Sequence, residues 1–221
     1  MPIDKFSLLN YGGSVTYEAF DTFSNLNNIN FNINARYRFA FSSGFSTPLY
    51  SIGVKLGGIE SELEMRDSTW FSASLQMNKR LSSTISTAIG VNYKQRESKS
   101  EVFDTVESRF FINLDLNLSR KTLLYGTYTF ITGDIVSSAT PTLQLINWSD
   151  AIEPDDAFGG VAFNQFAYRL EADTDVITLG YNRIMTRSIS IDISYRFVDT
   201  QAVGDIYYER QILRASLLGR F

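Results

Sequence analysis

NNINFNINARYRFAF, residues 27–41, is the stretch whose reading decides the fold. Ile29, Phe31, Ile33, Ala35, Tyr37, Phe39 and Phe41 hold the odd positions. Asn30, Asn32, Asn34, Arg36 and Arg38 hold the even ones, until Ala40 ends the series. A period of two belongs to an extended strand with one apolar and one polar face. The pattern leaves open which face points outward. Surrounded by water, the apolar face would be the core. Surrounded by lipid, it would be the outside, and Asn and Arg would line the interior.

The same alternation recurs along the chain. It places Val15, Tyr17 and Ala19 on one face, then Tyr50, Ile52, Val54 and Leu56, then Phe71, Ala73, Leu75 and Met77. Ile85, Ile89, Val91 and Tyr93 follow, then Phe110, Ile112, Leu114, Leu116 and Leu118. In the second half come Leu124, Tyr128 and Phe130; Ile177, Leu179 and Tyr181; Ile189, Ile191, Ile193, Tyr195 and Phe197; and Leu213, Ala215, Leu217, Gly219 and Phe221. No segment shows a helical period. Ten strands of about 9–14 residues result, which matches the ~9–11 residues of a membrane-crossing strand better than the mode of ~5–6 for strands generally. The connections alternate in length. Tight ones fall at 78–82, 119–121 and 183–188, and longer ones at roughly 58–68, 96–105 and 199–206. The longest, 134–174, carries the turn signals Thr140-Pro141, Glu153-Pro154-Asp155-Asp156 and Gly159-Gly160. It reads as a large loop that extends the flanking strands or folds inward. Leu143–Leu145 and Ala162–Leu170 offer two more strands, so twelve is the alternative count.

Composition narrows the choice. The 221 residues suffice for one domain, net charge is −4, and aromatics are 14%, with 17 Phe, 12 Tyr and 2 Trp. Arg outnumbers Lys, 14 to 6. No run approaches the ~18 apolar residues of a membrane helix, which leaves barrels untouched. Ten strands hold about fifty apolar positions, too many for the interior of a barrel only slightly wider than one that eight strands fill. The polar face is rich in Asn, Ser, Gly, Gln, Asp and Arg rather than Lys and Glu, which suits a confined interior where each group needs a partner. Met1-Pro2-Ile3-Asp4 has neither a basic nor an apolar leader region, so an exported form is expected to be a mature chain or a piece of a longer one.

The final residues, QILRASLLGRF, end on an aromatic after alternating small or apolar positions, and LSRKTLLYGTYTF (118–130) reads as a turn and strand. Together with the alternation, these resemble bacterial outer-membrane β-barrel proteins of the porin-like superfamily. The resemblance implies an all-β fold: a transmembrane, antiparallel, up-and-down β-barrel formed by residues 1–221 as one domain, in the outer membrane of a Gram-negative cell. It implies contact with outer-membrane lipid and lipopolysaccharide, and Phe221 as the signal read by the barrel assembly machinery. Ile29, Phe31, Ile33, Ile89, Val91, Ile112, Leu114, Leu116, Ile191, Ile193, Leu213 and Leu217 are then expected to face lipid.

The chemistry is sparse. There is no His and no Cys, so imidazole catalysis, thiolate chemistry and zinc or copper sites are not expected. No catalytic residue, metal site or cofactor is assigned, no enzyme is expected, and no nucleic-acid surface is visible. Glu60, Glu62 and Glu64 fall on one face of an extended segment and could hold a divalent cation, although a solvated strand tip is the plainer reading. The expected interior is more informative. Asn30, Asn32, Asn34, Arg36, Arg38, Lys55, Lys94, Arg109, Asn113, Asp115, Asp192, Arg196, Arg210 and Arg214 share the polar face, with a basic balance in an acidic chain. One reading is a narrow passive pore for small solutes with a mild preference for anions. The other is a non-conducting structural or adhesive barrel whose interior is filled by paired side chains.

Overall fold

The computed structural model describes residues 2–4, 6–186, 188–204 and 206–219, with the side chains of 2–4 left aside. Phe221, the expected assembly signal, lies outside the described residues. The chain forms one antiparallel sheet. Its strands are β1 (Pro2–Asp4), β2 (Ser7–Glu18), β3 (Asn28–Phe39), β4 (Leu49–Ser61), β5 (Ser68–Arg80), β6 (Ile85–Ser98), β7 (Thr105–Ser119), β8 (Thr122–Ala139), β9 (Ala151–Pro154), β10 (Phe166–Ile184), β11 (Ile189–Ala202) and β12 (Ile206–Gly219). Each pairs with the next in sequence, except that β8 pairs directly with β10, and β9 adds to the start of β10. The long strands run from 12 residues in β2 to 19 in β10. The sheet is not closed: among the described residues β2 and β12 are not hydrogen-bonded to one another.

The opening stretch can now be oriented. Along β3 exposure alternates, with Ile29, Phe31 and Ile33 exposed and Asn30, Asn32 and Asn34 less so. The apolar face is the outer one. The same holds across the sheet: Val91, Ile112, Leu114, Ile193, Leu213 and Leu217 are exposed. Ile89, Leu116 and Ile191, nearer the short turns, are half-buried. An apolar outer face over nearly every strand reverses the arrangement of an ordinary water-soluble sheet.

Several boundaries differ from the sequence reading. The links expected at 58–68, 96–105 and 199–206 are shorter, because β4 runs on to Ser61, β6 to Ser98 and β11 to Ala202, past the alternation read in the sequence. The 134–174 segment is strand at both ends, leaving 140–165 as the connection. Leu143–Leu145 is not a strand but the start of helix α1 (Leu143–Trp148). Thr142 begins it, its Oγ1 accepting the Leu145 N–H at 3.2 Å. Six residues are too few to show a helical period. Phe166–Leu170 belongs to the long β10 rather than to an extra strand. Tyr195 and Phe197 sit well inside β11.

Three consecutive connections at the long-loop end share one construction. Short 3-10 turns at Ser24–Leu26, Glu64–Arg66 and Glu101–Phe103 are each followed by Asn27, Asp67 or Asp104. The Oδ1 of that residue accepts a backbone N–H at or just past the end of the preceding strand: Phe20 at 2.7 Å, Ser61 at 2.8 Å and Ser98 at 2.5 Å. SELEMRDS (61–68) and SKSEVFDT (98–105) are the sequence form of this device. The loops are also tied to each other, Glu62 N–H donating to Asn27 O and Lys99 N–H to Asp67 O, both at 3.0 Å. The result is a hydrogen-bonded rim.

Candidate functional site: a basic cavity and a latched cap

The polar faces of β2 to β8 curl around one cavity of about 890 Å³. Its walls carry Arg36 and Arg38 from β3, Lys55 from β4, Lys94 from β6 and Arg109 from β7. Six of the expected interior residues, Asn34 with these five, are brought together here. Strand register explains the grouping. Lys55 lies opposite Ser72, and Ser72 opposite Lys94, in one cross-strand row. The next row reads Arg36, Gly53, Ser74, Asn92, Arg109. Small residues thus separate the cations and form a low floor.

The charges are poorly compensated. Glu107 is the one carboxylate in the lining, and it accepts from Arg109 Nη2 at 3.2 Å. Lys94 Nζ lies 5.6 Å from the ring centre of Trp70. Arg36, Arg38 and Lys55 make no ion pair among the described residues.

The remaining expected interior residues lie elsewhere. Asn32 Nδ2 donates to Ser14 Oγ at 2.7 Å, and Asn113 Nδ2 to Thr127 Oγ1 at 3.0 Å. Asp192 accepts from Tyr125 at 3.0 Å and from Asn182 at 3.2 Å, while Asp115 sits opposite Ser86. The carbonyl oxygen of the Asn30 side chain is buried without a hydrogen bond. Arg196, Arg210 and Arg214 are exposed, on β11 and the edge strand β12, and do not line the cavity. They share the polar face by alternation, but among the described residues β12 pairs with β11 alone, and its other side is open.

Inward aromatics are the feature that alternation alone did not reveal. Trp70, Phe111 and Tyr125 each lie over a glycine directly opposite on the neighbouring strand: Gly57, Gly90 and Gly180. A Cβ on Gly57 would meet the Trp70 ring at 2.6 Å, and one on Gly90 the Phe111 ring at 2.7 Å. At Gly180 the Tyr125 ring occupies the space a Cβ would need, and its hydroxyl passes over that strand to Asp192 on β11. Ring over glycine is a way to fill a curved sheet without crowding it. The glycines at polar-face positions were the available signal.

At the long-loop end of the sheet the connections form a packed cap. The segment 140–165 reaches from β8 and β10 to the connections after β2 and β4. Phe158 packs on Phe23 at 5.1 Å, and Asn25 Nδ2 donates to the carbonyl of Asp156 at 3.3 Å. Asp155 is fully buried. Arg66 Nη2 donates to both of its carboxylate oxygens at 2.9 and 2.8 Å. Ser138 Oγ and the Ala157 N–H also donate to it. The Arg66 guanidinium lies 4.4 Å over the Phe103 ring. Ser100 Oγ donates to Glu153 at 2.5 Å, and Arg169 Nη1 to the carbonyl of Glu101 at 2.7 Å. Beneath this lie the two buried apolar clusters of the described residues, one around Tyr168, Leu170, Ala172 and Ala202, the other around Val102, Phe103 and Ala167. Asp155 looked like plain loop in the sequence, because its partners come from distant connections.

The rim carboxylates are also spoken for. Glu62 accepts from Asn27 Nδ2 at 3.1 Å, and Glu64 pairs with Lys99 at 3.3 Å. No cluster of three potential metal ligands occurs among the described residues, so Glu60, Glu62 and Glu64 do not converge as a cation site. The Ser61 N–H, with Lys99 beside it, holds the Asp67 carboxyl below the usual carboxylate range. Hydrogen bonds to Asp67 and Glu64 raise Lys99 above the usual lysine value. No family model matches the chain, and no curated protein matches it.

Proposed function

We propose that this chain is a bacterial outer-membrane β-barrel whose ten long strands close by pairing β12 with β2, and whose interior passes small solutes with a mild preference for anions. The observation that carries the reading is the inversion of the sheet: apolar side chains outside, a basic cavity inside. An apolar outer face needs a lipid surrounding. In hydrocarbon the free edges of β2 and β12 would leave backbone N–H and C=O groups unpaired at several kcal/mol each, so the bilayer itself favours closure. The 140–165 segment covers one mouth and makes the passage narrow. The partners are outer-membrane lipid, lipopolysaccharide and the barrel assembly machinery. The chain is not an enzyme on this reading: it has no His or Cys, and its buried carboxylate Asp155 is held by Arg66.

Reconstitution into a planar bilayer tests this. Stepwise current with a reversal potential favouring anions is the expected result. A second reading is a non-conducting barrel whose capped end binds a partner; it draws on the buried Arg66–Asp155 pair and the packed cap. Under that reading the folded protein gives no current. Folding in buffer as a compact monomer without detergent would remove both.

A further inference from the structure

We infer that the basic cavity is a binding site for a small solute carrying two or more linked phosphate-like groups. The inference rests on the reading that this face is the interior of a closed barrel, and it adds a ligand class to it.

Charge is the first argument. Five cations and one carboxylate line a single cavity, and that carboxylate already pairs with Arg109. At the rim and cap, by contrast, Arg66 meets Asp155, and Lys99 meets Glu64 and Asp67. Gathering Arg36, Arg38 and Lys55 without a counter-charge costs repulsion that an anionic ligand removes. Spacing is the second. Lys55 and Lys94 stand two strands apart in one row with only Ser72 between them, about 10 Å at normal strand separation. Arg36 and Arg109 flank the next row across Gly53, Ser74 and Asn92. Two or three linked tetrahedral anions span this floor and meet the cations on both sides at once, which gives them more contacts than a single one. Shape is the third. Ser72 is buried under the cations, and its Oγ is held by Asn92 Nδ2 at 2.8 Å. The floor therefore stays low and fixed. The volume, about 890 Å³, is in the range of small-molecule sites rather than of a single ion. Arg36 and Arg38 supply planar donors suited to phosphate oxygens, and the lysines supply point charges.

Trp70 lines the cavity and Trp148 lies in the cap, and these are the two tryptophans of the chain. In a Trp148→Phe background, Trp70 fluorescence reports on the site alone. The protein, folded in detergent, is titrated at constant ionic strength with tripolyphosphate, orthophosphate and sucrose, with calorimetry run in parallel. The expected result is saturable tripolyphosphate binding at least ten-fold tighter than orthophosphate, with none for sucrose. K55Q/K94Q weakens it at least ten-fold, and Lys121→Gln on the β7–β8 turn leaves it unchanged. If the double variant does not fold, Arg36→Gln carries the same expectation. Equal binding of orthophosphate and tripolyphosphate, absence of binding by calorimetry, or indifference to these substitutions overturns the inference. Tripolyphosphate binding without bilayer current leaves the site standing and removes the pore; current without such binding does the reverse.

Discussion

The two ends of the interior are built on opposite principles. Under the cap, the buried carboxylate of Asp155 is met by a guanidinium, a hydroxyl and a backbone N–H, with apolar side chains packed nearby. Further along the same polar face, Arg36, Arg38 and Lys55 stand without carboxylate partners around an open cavity. The first arrangement is self-sufficient at Asp155, whose charge is compensated from within the chain. The second is incomplete, and what completes it must come from outside. A chain that satisfies Asp155 so fully shows that it can pair charges, which makes the unpaired group more telling.

The largest expected effect breaks the self-sufficient half. Asp155→Ala leaves the Arg66 guanidinium, already unpartnered at Nε, without its carboxylate, and should cost about 3–5 kcal/mol. Because the chain has no Cys, a cysteine placed at the buried Ala157 gives a clean reading: Asp155→Ala should expose it to maleimide. Unchanged labelling would mean that the pair does not hold the cap. Arg38→Gln in the cavity should leave labelling as it was and cost no stability, since no pairing is lost and repulsion is relieved.

Ile33→Arg comes next. On the outer face at a bilayer midplane it should cost about 2–4 kcal/mol and lower the folding yield into lipid vesicles. Asn32→Ser, one residue away on the other face, loses one hydrogen bond to Ser14, worth about 1 kcal/mol. A larger loss for Asn32→Ser than for Ile33→Arg would turn the strand inside out. Gly90→Val pushes against the Phe111 ring and should cost about 1–3 kcal/mol by overpacking. A silent Gly90→Val, read by thermal unfolding in detergent, would show the ring free to move.

The smallest effect concerns pH at the rim. Asp67 titrates below the usual carboxylate range, so its contribution is present above that range and is lost as pH falls through its own lower value. Lys99 titrates above the usual lysine value, so its contribution is present below that value and is lost as pH rises through the folded one. The Ser61 amide proton resonance, which reports on the Asp67 carboxylate, should therefore shift only at a pH below the ordinary carboxylate midpoint. A shift centred at the ordinary value would mean that the rim bond does not persist in solution.

Much of the sheet was legible because strand periodicity is local. Whether Ile33 and Asn34 share a face depends only on their being adjacent. The strand ends were less legible, since the 3-10 turns and their Asn27, Asp67 and Asp104 bonds lie beyond the alternation that marked the strands. The inner face was legible as a list, but not as a grouping. Arg36, Lys55, Lys94 and Arg109 meet because consecutive hairpins bring them into two adjoining rows, and register is fixed by pairing, not by any one strand's pattern. Arg196, Arg210 and Arg214 carry the same local signal, yet lie on β11 and β12, near an edge that is unpaired among the described residues.

By itself, then, the sequence determined an all-β chain, its long alternating strands and the identity of their polar and apolar faces, because backbone geometry imposes a period of two wherever a strand forms. Only the tertiary structure decided that 140–165 packs against the connections after β2, β4 and β6, that Asp155 finds Arg66, and that five cations share one cavity. Each of these joins residues tens of positions apart, and their meeting depends on curvature, register and packing that no local pattern encodes.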